Sequence, residues 1–209
     1  QSETRLTSST ERGIYGFTWL TDKRIGYIKD DGGDENMHFY AINIDGTNER
    51  DLTPFENVQA RIIDDLEDDP NYIIIGLNKR NPQVHDPYRV NVNDGKMEMI
   101  AENPGNISTW MTDHSGKLRV AMTSDGVNTS LLYRETESDE FEPILTTDFK
   151  VNVSPLIFTF DNKITVPLFI PTQKFLPTLF LIIIVPATKL LQQLSPASPP
   201  TKIKPLRIW

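Results

Sequence analysis

The 209-residue chain contains no cysteine, which excludes disulfide bonds, thiolate metal ligands and a cysteine nucleophile. A second lack is local: residues 164–209 contain no glycine, aspartate or glutamate, yet they hold eight of the 15 prolines. All 29 acidic residues lie before that segment, together with 16 of the 21 basic ones. Composition rarely changes so abruptly within one domain, so the sequence predicts that two different parts of the chain meet near Lys163.

The sequence argues against a nucleic-acid partner, a membrane-spanning helix and a bound cofactor. The net charge of −8 argues against nucleic acid, because phosphate binding needs clustered lysine and arginine. The apolar run at 175–185 is interrupted by Pro177, is followed by Pro186, and falls short of the roughly 20 residues of a membrane-spanning helix. The sequence has no phosphate loop, zinc-ligand spacing or dinucleotide fingerprint, so no cofactor is expected. The N-terminus has no signal-peptide core, and the location, cytoplasmic or periplasmic, stays open.

A short motif repeats along the first part of the chain. Thr18–Asp22 (TWLTD) recurs as Thr109–Asp113 (TWMTD), and the Asp-Gly turn at residues 45–46 recurs at 94–95. The first spacing is about two periods and the second about one period of 45–50 residues, which is typical of a four-stranded propeller blade.

Each period contains four short stretches rich in β-branched and aromatic residues, separated by turn residues. In the first period the predicted strands are Ile14–Leu20, Arg24–Lys29, His38–Ile44 and Arg50–Phe55. The sequence therefore predicts an all-β fold, a partial β-propeller with about three four-stranded antiparallel blades at residues 14–55, 60–101 and 107–146, and a fourth blade that begins at 153. A β-sandwich is the alternative for such short strands, but it does not account for the repeat. Within the second period Tyr72–Gly76 is apolar at consecutive positions, which predicts burial on both faces.

The domain prediction is a partial propeller over residues 1–163 and an irregular, apolar and proline-rich tail over residues 164–209 that does not belong to the native fold. Proline lacks the N–H that a sheet ladder uses. We interpret the tail as a frame-shifted or mispredicted end of the chain. The alternative is a natural apolar docking segment.

Four segments of the first part resemble the propeller of the prolyl oligopeptidase family of serine peptidases, in particular its bacterial acylaminoacyl- and dipeptidyl-peptidase-like members. They are residues 28–40, 51–55, 76–86 and 101–105, and the resemblance extends over about residues 10–163. It implies a seven- or eight-bladed propeller that restricts access of peptides to a C-terminal α/β-hydrolase domain with a Ser-Asp-His triad.

The catalytic part of that family has no counterpart in the sequence. There is no Gly-x-Ser-x-Gly motif and no glycine after Gly126, whereas the nucleophile of an α/β-hydrolase needs that turn. The expected function is therefore a truncated, non-catalytic propeller fragment that in the parent protein gates peptide access to the hydrolase site. The alternatives are a stand-alone propeller-type protein-binding module and an enzyme completed by a separate hydrolase chain. An open ring exposes its end blades, so self-association is expected.

Candidate site residues are few, and no catalytic residue is predicted. The three histidines, His38, His85 and His114, are expected to be structural or solvated. Closely spaced carboxylates can bind calcium, which makes one acidic loop a weak candidate metal site; its residues are Asp30, Asp31, Asp34 and Glu35. The loop lacks the residue order of an EF-hand. A solvated hairpin loop is therefore the favoured interpretation. A basic and aromatic cluster at residues 78–89 supplies candidates for a substrate path: Arg80, His85 and Arg89.

Overall fold

The computed structural model describes residues 6–7, 13–30, 32–150, 152–153, 157–158, 164–170 and 179–184. In this part of the chain the regular secondary structure consists of β-strands. The described residues include no apolar helix of membrane-spanning length.

Three sheets of four antiparallel strands follow one another along the chain, and we call them the first, second and third blades. In each blade the strands pair in sequence order. The first blade contains β1 (Gly16–Thr21), β2 (Arg24–Asp30), β3 (Met37–Asn43) and β4 (Arg50–Asp51). The second contains β5 (Ala60–Asp64), β6 (Tyr72–Leu77), β7 (Asp86–Asn91) and β8 (Met97–Met99). The third contains β9 (Ile107–Thr112), β10 (Leu118–Ser124), β11 (Asn128–Tyr133) and β12 (Glu142–Asp148). This repeated up-and-down sheet is the blade of a propeller, and the predicted fold class is confirmed.

A fourth sheet begins after the third blade. Its strands are β13 (Asn152–Val153), β14 (Ile157–Phe158), β15 (Ile164–Ile170) and β16 (Leu179–Ile184). The two short strands pair with opposite ends of β15, which also pairs with β16. Thus two stretches of the segment 164–209 form strands, and the rest of it lies outside the described residues. The division of the chain at residue 163 stays a prediction.

The main hydrophobic core lies between the first and second blades. Phe39, Ala41 and Leu52 of the first blade pack there with Ile73, Ile75 and Leu77 of the second. Ile74 points to the opposite face of β6, because successive residues of a strand alternate, and it is as fully buried as its neighbours. The strand is therefore covered on both faces, as the apolar run Tyr72–Gly76 predicted.

The repeated motif ties the first strands of the three blades together. The Thr18 hydroxyl of β1 donates a hydrogen bond to Asp65 Oδ2 at 2.7 Å, and the Thr112 hydroxyl of β9 donates one to Asp64 Oδ2. Two neighbouring carboxylates of the second blade therefore contact β1 on one side and β9 on the other. The first strands consequently lie next to one another and form a common wall.

Candidate functional site

A cavity of about 360 Å³ lies between the second and third blades. Its walls come from β5, from the loop that leads into β7, and from the start of β9. In β5 the side chains of Ala60 and Ile62 belong to the core shared with the first blade. Strand alternation then turns Arg61 and Ile63 toward the third blade, where both line the cavity.

Trp110 of β9 forms the wall of this cavity on the side of the third blade. Its indole Nε1 donates a hydrogen bond to the main-chain oxygen of His85 at 3.3 Å, and its ring lies 5.7 Å from that of Phe141, measured between centroids. Trp19 occupies the equivalent position of the first blade, on the face that points away from the second blade, and it is 58% exposed. The repeat therefore supplies one tryptophan that is held between blades and one that is open to solvent.

His85 lies in the loop before β7 and lines the cavity. Its Nε2 atom is buried and has no hydrogen-bond partner among the described residues. Burial lowers the pKa of His85, the nearby Arg61 guanidinium lowers it further, and the Asp86 carboxylate opposes both effects. Because burial and the cation disfavour the charged imidazolium, the ring stays neutral to a lower pH than an exposed histidine.

Gly76 leaves the space in which these side chains meet. A Cβ atom at this position would lie 3.4 Å from the Cβ atom of His85 and 3.4 Å from Cδ1 of Ile63. Any side chain at position 76 would therefore occupy part of the space between His85 and Ile63.

Arg61 is exposed at the edge of the cavity, and its guanidinium makes no hydrogen bond or ion pair with another described residue. The cavity thus brings together a guanidinium and an imidazole nitrogen that both lack partners within the described part of the chain. Both groups can donate hydrogen bonds, so the arrangement suits an acceptor, above all a negatively charged one.

Arg80, a predicted substrate-path residue, is held by its own blade. Its guanidinium donates to both carboxylate oxygens of the fully buried Asp86, at 3.0 Å each, and to the Asn103 main-chain oxygen at 2.6 Å. The hydrogen bond to Asp86 raises the pKa of Arg80. The backbone N–H of Asn103 also donates to Asp86, at 2.7 Å, so this network fixes the loops around His85.

Arg89, the third predicted substrate-path residue, contacts the opposite end of the third blade. Its Nη2 donates to Gly116 O at 2.8 Å and to Glu137 Oε1 at 3.0 Å. It lines a second inter-blade cavity of about 460 Å³, together with the acidic run 64–69 and the turn 113–117. Of the three predicted residues, His85 and Arg89 therefore lie in different cavities, and Arg80 lines neither.

The acidic loop after β2 is folded on itself. Asp34 accepts hydrogen bonds from the backbone and side-chain nitrogens of Asn36. Asp30 ends β2 and is buried, Glu35 has a positive φ of 61°, and the two glycines also have positive φ. Asp31 lies outside the described residues. Among the described residues no three histidine, aspartate or glutamate side chains come close enough to hold a metal ion.

The other two histidines have different surroundings. His38 Nδ1 lies 2.7 Å from Asp51 Oδ2. A contact of this type also joins the histidine and the carboxylate of a catalytic triad. Within the described residues, neither His38 nor His85 makes a hydrogen bond to a serine hydroxyl. His114 Nε2 lies 2.9 Å from the main-chain oxygen of Phe158.

Two residues of the cavity were not singled out from the sequence. Arg61 is a cation in an otherwise apolar stretch, Ala60–Ile63, and strand alternation could have placed it opposite the core. Trp110 was recognised only as part of the repeat. Their presence in one cavity depends on how the blades pack, which no local pattern encodes.

Comparison with known proteins gives two peptidases among the relatives. Dipeptidyl aminopeptidase BIII of Pseudoxanthomonas mexicana is 30% identical over 167 residues, which is 76% of this chain and 23% of that protein. Dipeptidyl peptidase family member 6 of Caenorhabditis elegans is 26% identical over 173 residues, which is 78% of this chain and 23% of that protein. The chain thus spans about a quarter of the length of these curated relatives. No family model matches it.

Among solved structures, an oligogalacturonate lyase in complex with manganese superposes with a TM-score of 0.55. The sequences are 18% identical, and the match covers 79% of this chain and 46% of the lyase chain. Similarity at this level of identity reports a shared fold, and the chemistry of the lyase does not transfer with it.

Proposed function

The chain belongs to the prolyl oligopeptidase family of serine peptidases, and we propose that it supplies propeller blades that gate the access of peptides to an α/β-hydrolase site elsewhere in a longer protein. One observation carries the proposal: the similarity to a dipeptidyl aminopeptidase covers 76% of this chain but only 23% of that enzyme. A segment with this coverage corresponds to one part of a larger peptidase. The remaining length of such a protein leaves room for a separate catalytic domain.

The proposal assigns no catalysis to the chain itself. A serine-peptidase triad needs a serine hydroxyl, a histidine and a carboxylate in one hydrogen-bonded array. In the described residues, the His38–Asp51 pair contacts no serine hydroxyl, and the imidazole of His85 has no hydrogen-bond partner at Nε2.

The common wall formed by β1, β5 and β9 supports the gating role. The carboxylates of Asp64 and Asp65 hold these first strands side by side, and in a propeller the blades surround a central channel. A peptide that reached a hydrolase site through that channel would pass the side chains of these strands. In β5 and β9 the side chains of Arg61, Ser108 and Thr109 are exposed.

The proposal includes self-association of the isolated chain. Phe17 and Trp19 of β1 and Tyr15 just before it are spaced two residues apart, and each is more than half exposed. Contiguous exposed apolar groups of this kind mark interaction surfaces. A single well-defined dimer would favour the alternative function, a stand-alone binding module, whereas open-ended association suits a set of blades taken from a larger ring.

An activity assay tests the proposal. The purified 209-residue chain should not hydrolyse a dipeptidyl 4-nitroanilide above the buffer blank, and a fluorophosphonate probe should not label it. Dipeptidyl aminopeptidase BIII serves as the positive control. Hydrolysis by the chain that disappears after fluorophosphonate treatment would contradict the proposal, because it would place a reactive serine within these residues.

A further inference from the structure

We propose that the cavity between the second and third blades binds the carboxylate group of a peptide, and that Arg61 and His85 are the side chains that recognise it. The choice of a peptide as the source of the carboxylate rests on the proposed function. The recognition of a carboxylate rests on the geometry alone.

The guanidinium of Arg61 is isolated from the acidic side chains of the described residues. The chain has 29 acidic residues against 21 basic ones, and other arginines form ion pairs with them: Arg80 with Asp86, Arg89 with Glu137, and Arg119 with Asp113. Arg61 has no such partner among the described residues although it lines a cavity. A guanidinium that is left unpaired beside a concave surface is available for a ligand carboxylate.

The Nε2 atom of His85 is buried and has no hydrogen-bond partner among the described residues. A buried polar atom without a hydrogen-bond partner is destabilising, and native structures contain few of them. Arg61 lines the same cavity as His85, and its charge is near enough to lower the pKa of the imidazole. An oxygen of a bound carboxylate would accept a hydrogen bond from the imidazole and would also compensate the charge of Arg61.

Asp86 lies next to His85 in the sequence, but its carboxylate oxygens already accept hydrogen bonds from the Arg80 guanidinium and from the backbone N–H of Asn103. It therefore does not neutralise Arg61. The same network holds the loop that carries His85, so the imidazole is kept in place before a ligand arrives, which reduces the entropy lost on binding.

The composition of the walls favours a peptide over an inorganic anion. Ile63, Ile107 and Trp110 form apolar walls beside the two donors. One guanidinium and one imidazole match the single negative charge of a carboxylate. A phosphate dianion would call for more positive charge. Ligand sites typically combine apolar walls with few polar groups in this way.

Nuclear magnetic resonance of the histidine rings can test the proposal, since the chain has only three histidines. The full chain would be titrated with three blocked tripeptides: acetyl-Ala-Leu-Ala with a free C-terminus, its C-terminal amide, and acetyl-Ala-Glu-Ala-amide. The first and third carry a terminal and a side-chain carboxylate, and the second carries none. A His85→Gln variant assigns the resonance. We expect at least one carboxylate peptide to shift the ring protons of His85 and to leave those of His38 and His114 unchanged.

Substitutions then identify the recognising group. Arg61→Gln should raise the dissociation constant by about tenfold or more, because a hydrogen bond to a charged group is lost. Arg61→Lys should restore part of the affinity. Lys23→Gln removes a charge from an exposed turn of the first blade and should have no effect. Circular dichroism would check that each variant is folded.

Several results would overturn the inference: equal shifts with the amide peptide, no shift of His85 with either carboxylate peptide, or unchanged affinity in Arg61→Gln. A terminal or a side-chain source would be identified by which of the two carboxylate peptides binds. Labelling of the chain by a fluorophosphonate would contradict the proposed function but would not alter the histidine shifts. The two proposals are therefore contradicted by different results.

Discussion

Alanine substitutions at two adjacent residues of β6 provide a sharp test of the blade arrangement. Ile74 and Ile75 point to opposite faces of the strand, and both are fully buried. Each substitution removes about three buried methyl or methylene groups, which corresponds to about 2.4 kcal/mol at ~0.8 kcal/mol per group. The cavity that remains raises the loss in free energy of unfolding to about 3–4 kcal/mol. The two variants should therefore be destabilised by similar amounts.

The measurement is urea unfolding of the wild type and of each variant. A lower midpoint with an unchanged m-value reports a loss of stability without a change in the surface exposed. Val127→Ala is the matched control: it also shortens a β-branched side chain, but Val127 is 59% exposed. Its effect should stay within about 0.5 kcal/mol.

One outcome would refute this reasoning. A strand in a two-layer β-sandwich has one covered and one solvated face. If Ile75→Ala cost about 3 kcal/mol but Ile74→Ala less than about 1 kcal/mol, the face of β6 toward the third blade would not be packed. The second blade would then not lie between two neighbours.

Two further predictions concern His85 and the exposed face of β1. The pKa of His85 is lowered from its ordinary value of 6.5 by burial and by Arg61, against the opposing Asp86 carboxylate. The unfolded chain therefore binds a proton first as the pH falls, and stability present above pH 6.5 is lost below it. The wild type should lose more stability than His85→Gln between about pH 7.5 and about pH 5.5, and equal losses would contradict the assignment. A Phe17→Ser/Trp19→Ser variant should associate less than the wild type in sedimentation velocity, whereas unchanged association would show that another surface is used.

Local sequence patterns were sufficient to predict the strands near the core. Tyr72–Gly76 was expected to be buried on both faces, and Ile73, Ile74 and Ile75 are fully buried. The predicted strand at residues 24–29 is observed as Arg24–Asp30. Side-chain alternation and burial are local properties of these segments, so the sequence carries them directly.

The outer strand of the first blade is shorter than predicted. The sequence predicted a strand over residues 50–55, whereas β4 ends at Asp51. Leu52 still donates its N–H to Phe39 O at 2.8 Å, but Pro54 has no N–H to continue the ladder. Phe55 then donates to the main-chain oxygen of Thr53 in a local turn. The proline was visible in the sequence, and the strand boundary should have been placed before it.

The inter-blade cavity was beyond the reach of the sequence patterns. Arg61, His85 and Trp110 are separated by about 25 residues at each step, and they meet only because neighbouring blades pack face to face. Of these three, only His85 was among the predicted site residues. Arg80 and Arg89 belong to the same basic cluster but are engaged by Asp86 and Glu137. Charge composition alone does not distinguish a paired arginine from an unpaired one.

A chimeric enzyme can test the proposal that these blades gate the access of peptides to a hydrolase site. The aligned 167 residues of dipeptidyl aminopeptidase BIII would be replaced by the matching residues of this chain, and a second variant would lack the segment altogether. The measurement is the ratio of casein hydrolysis to dipeptidyl 4-nitroanilide hydrolysis. We expect the chimera to keep the low ratio of the unmodified enzyme and the deletion variant to have a higher ratio. A chimera that cleaves the dipeptidyl substrate but degrades casein as readily as the deletion variant would contradict the claim.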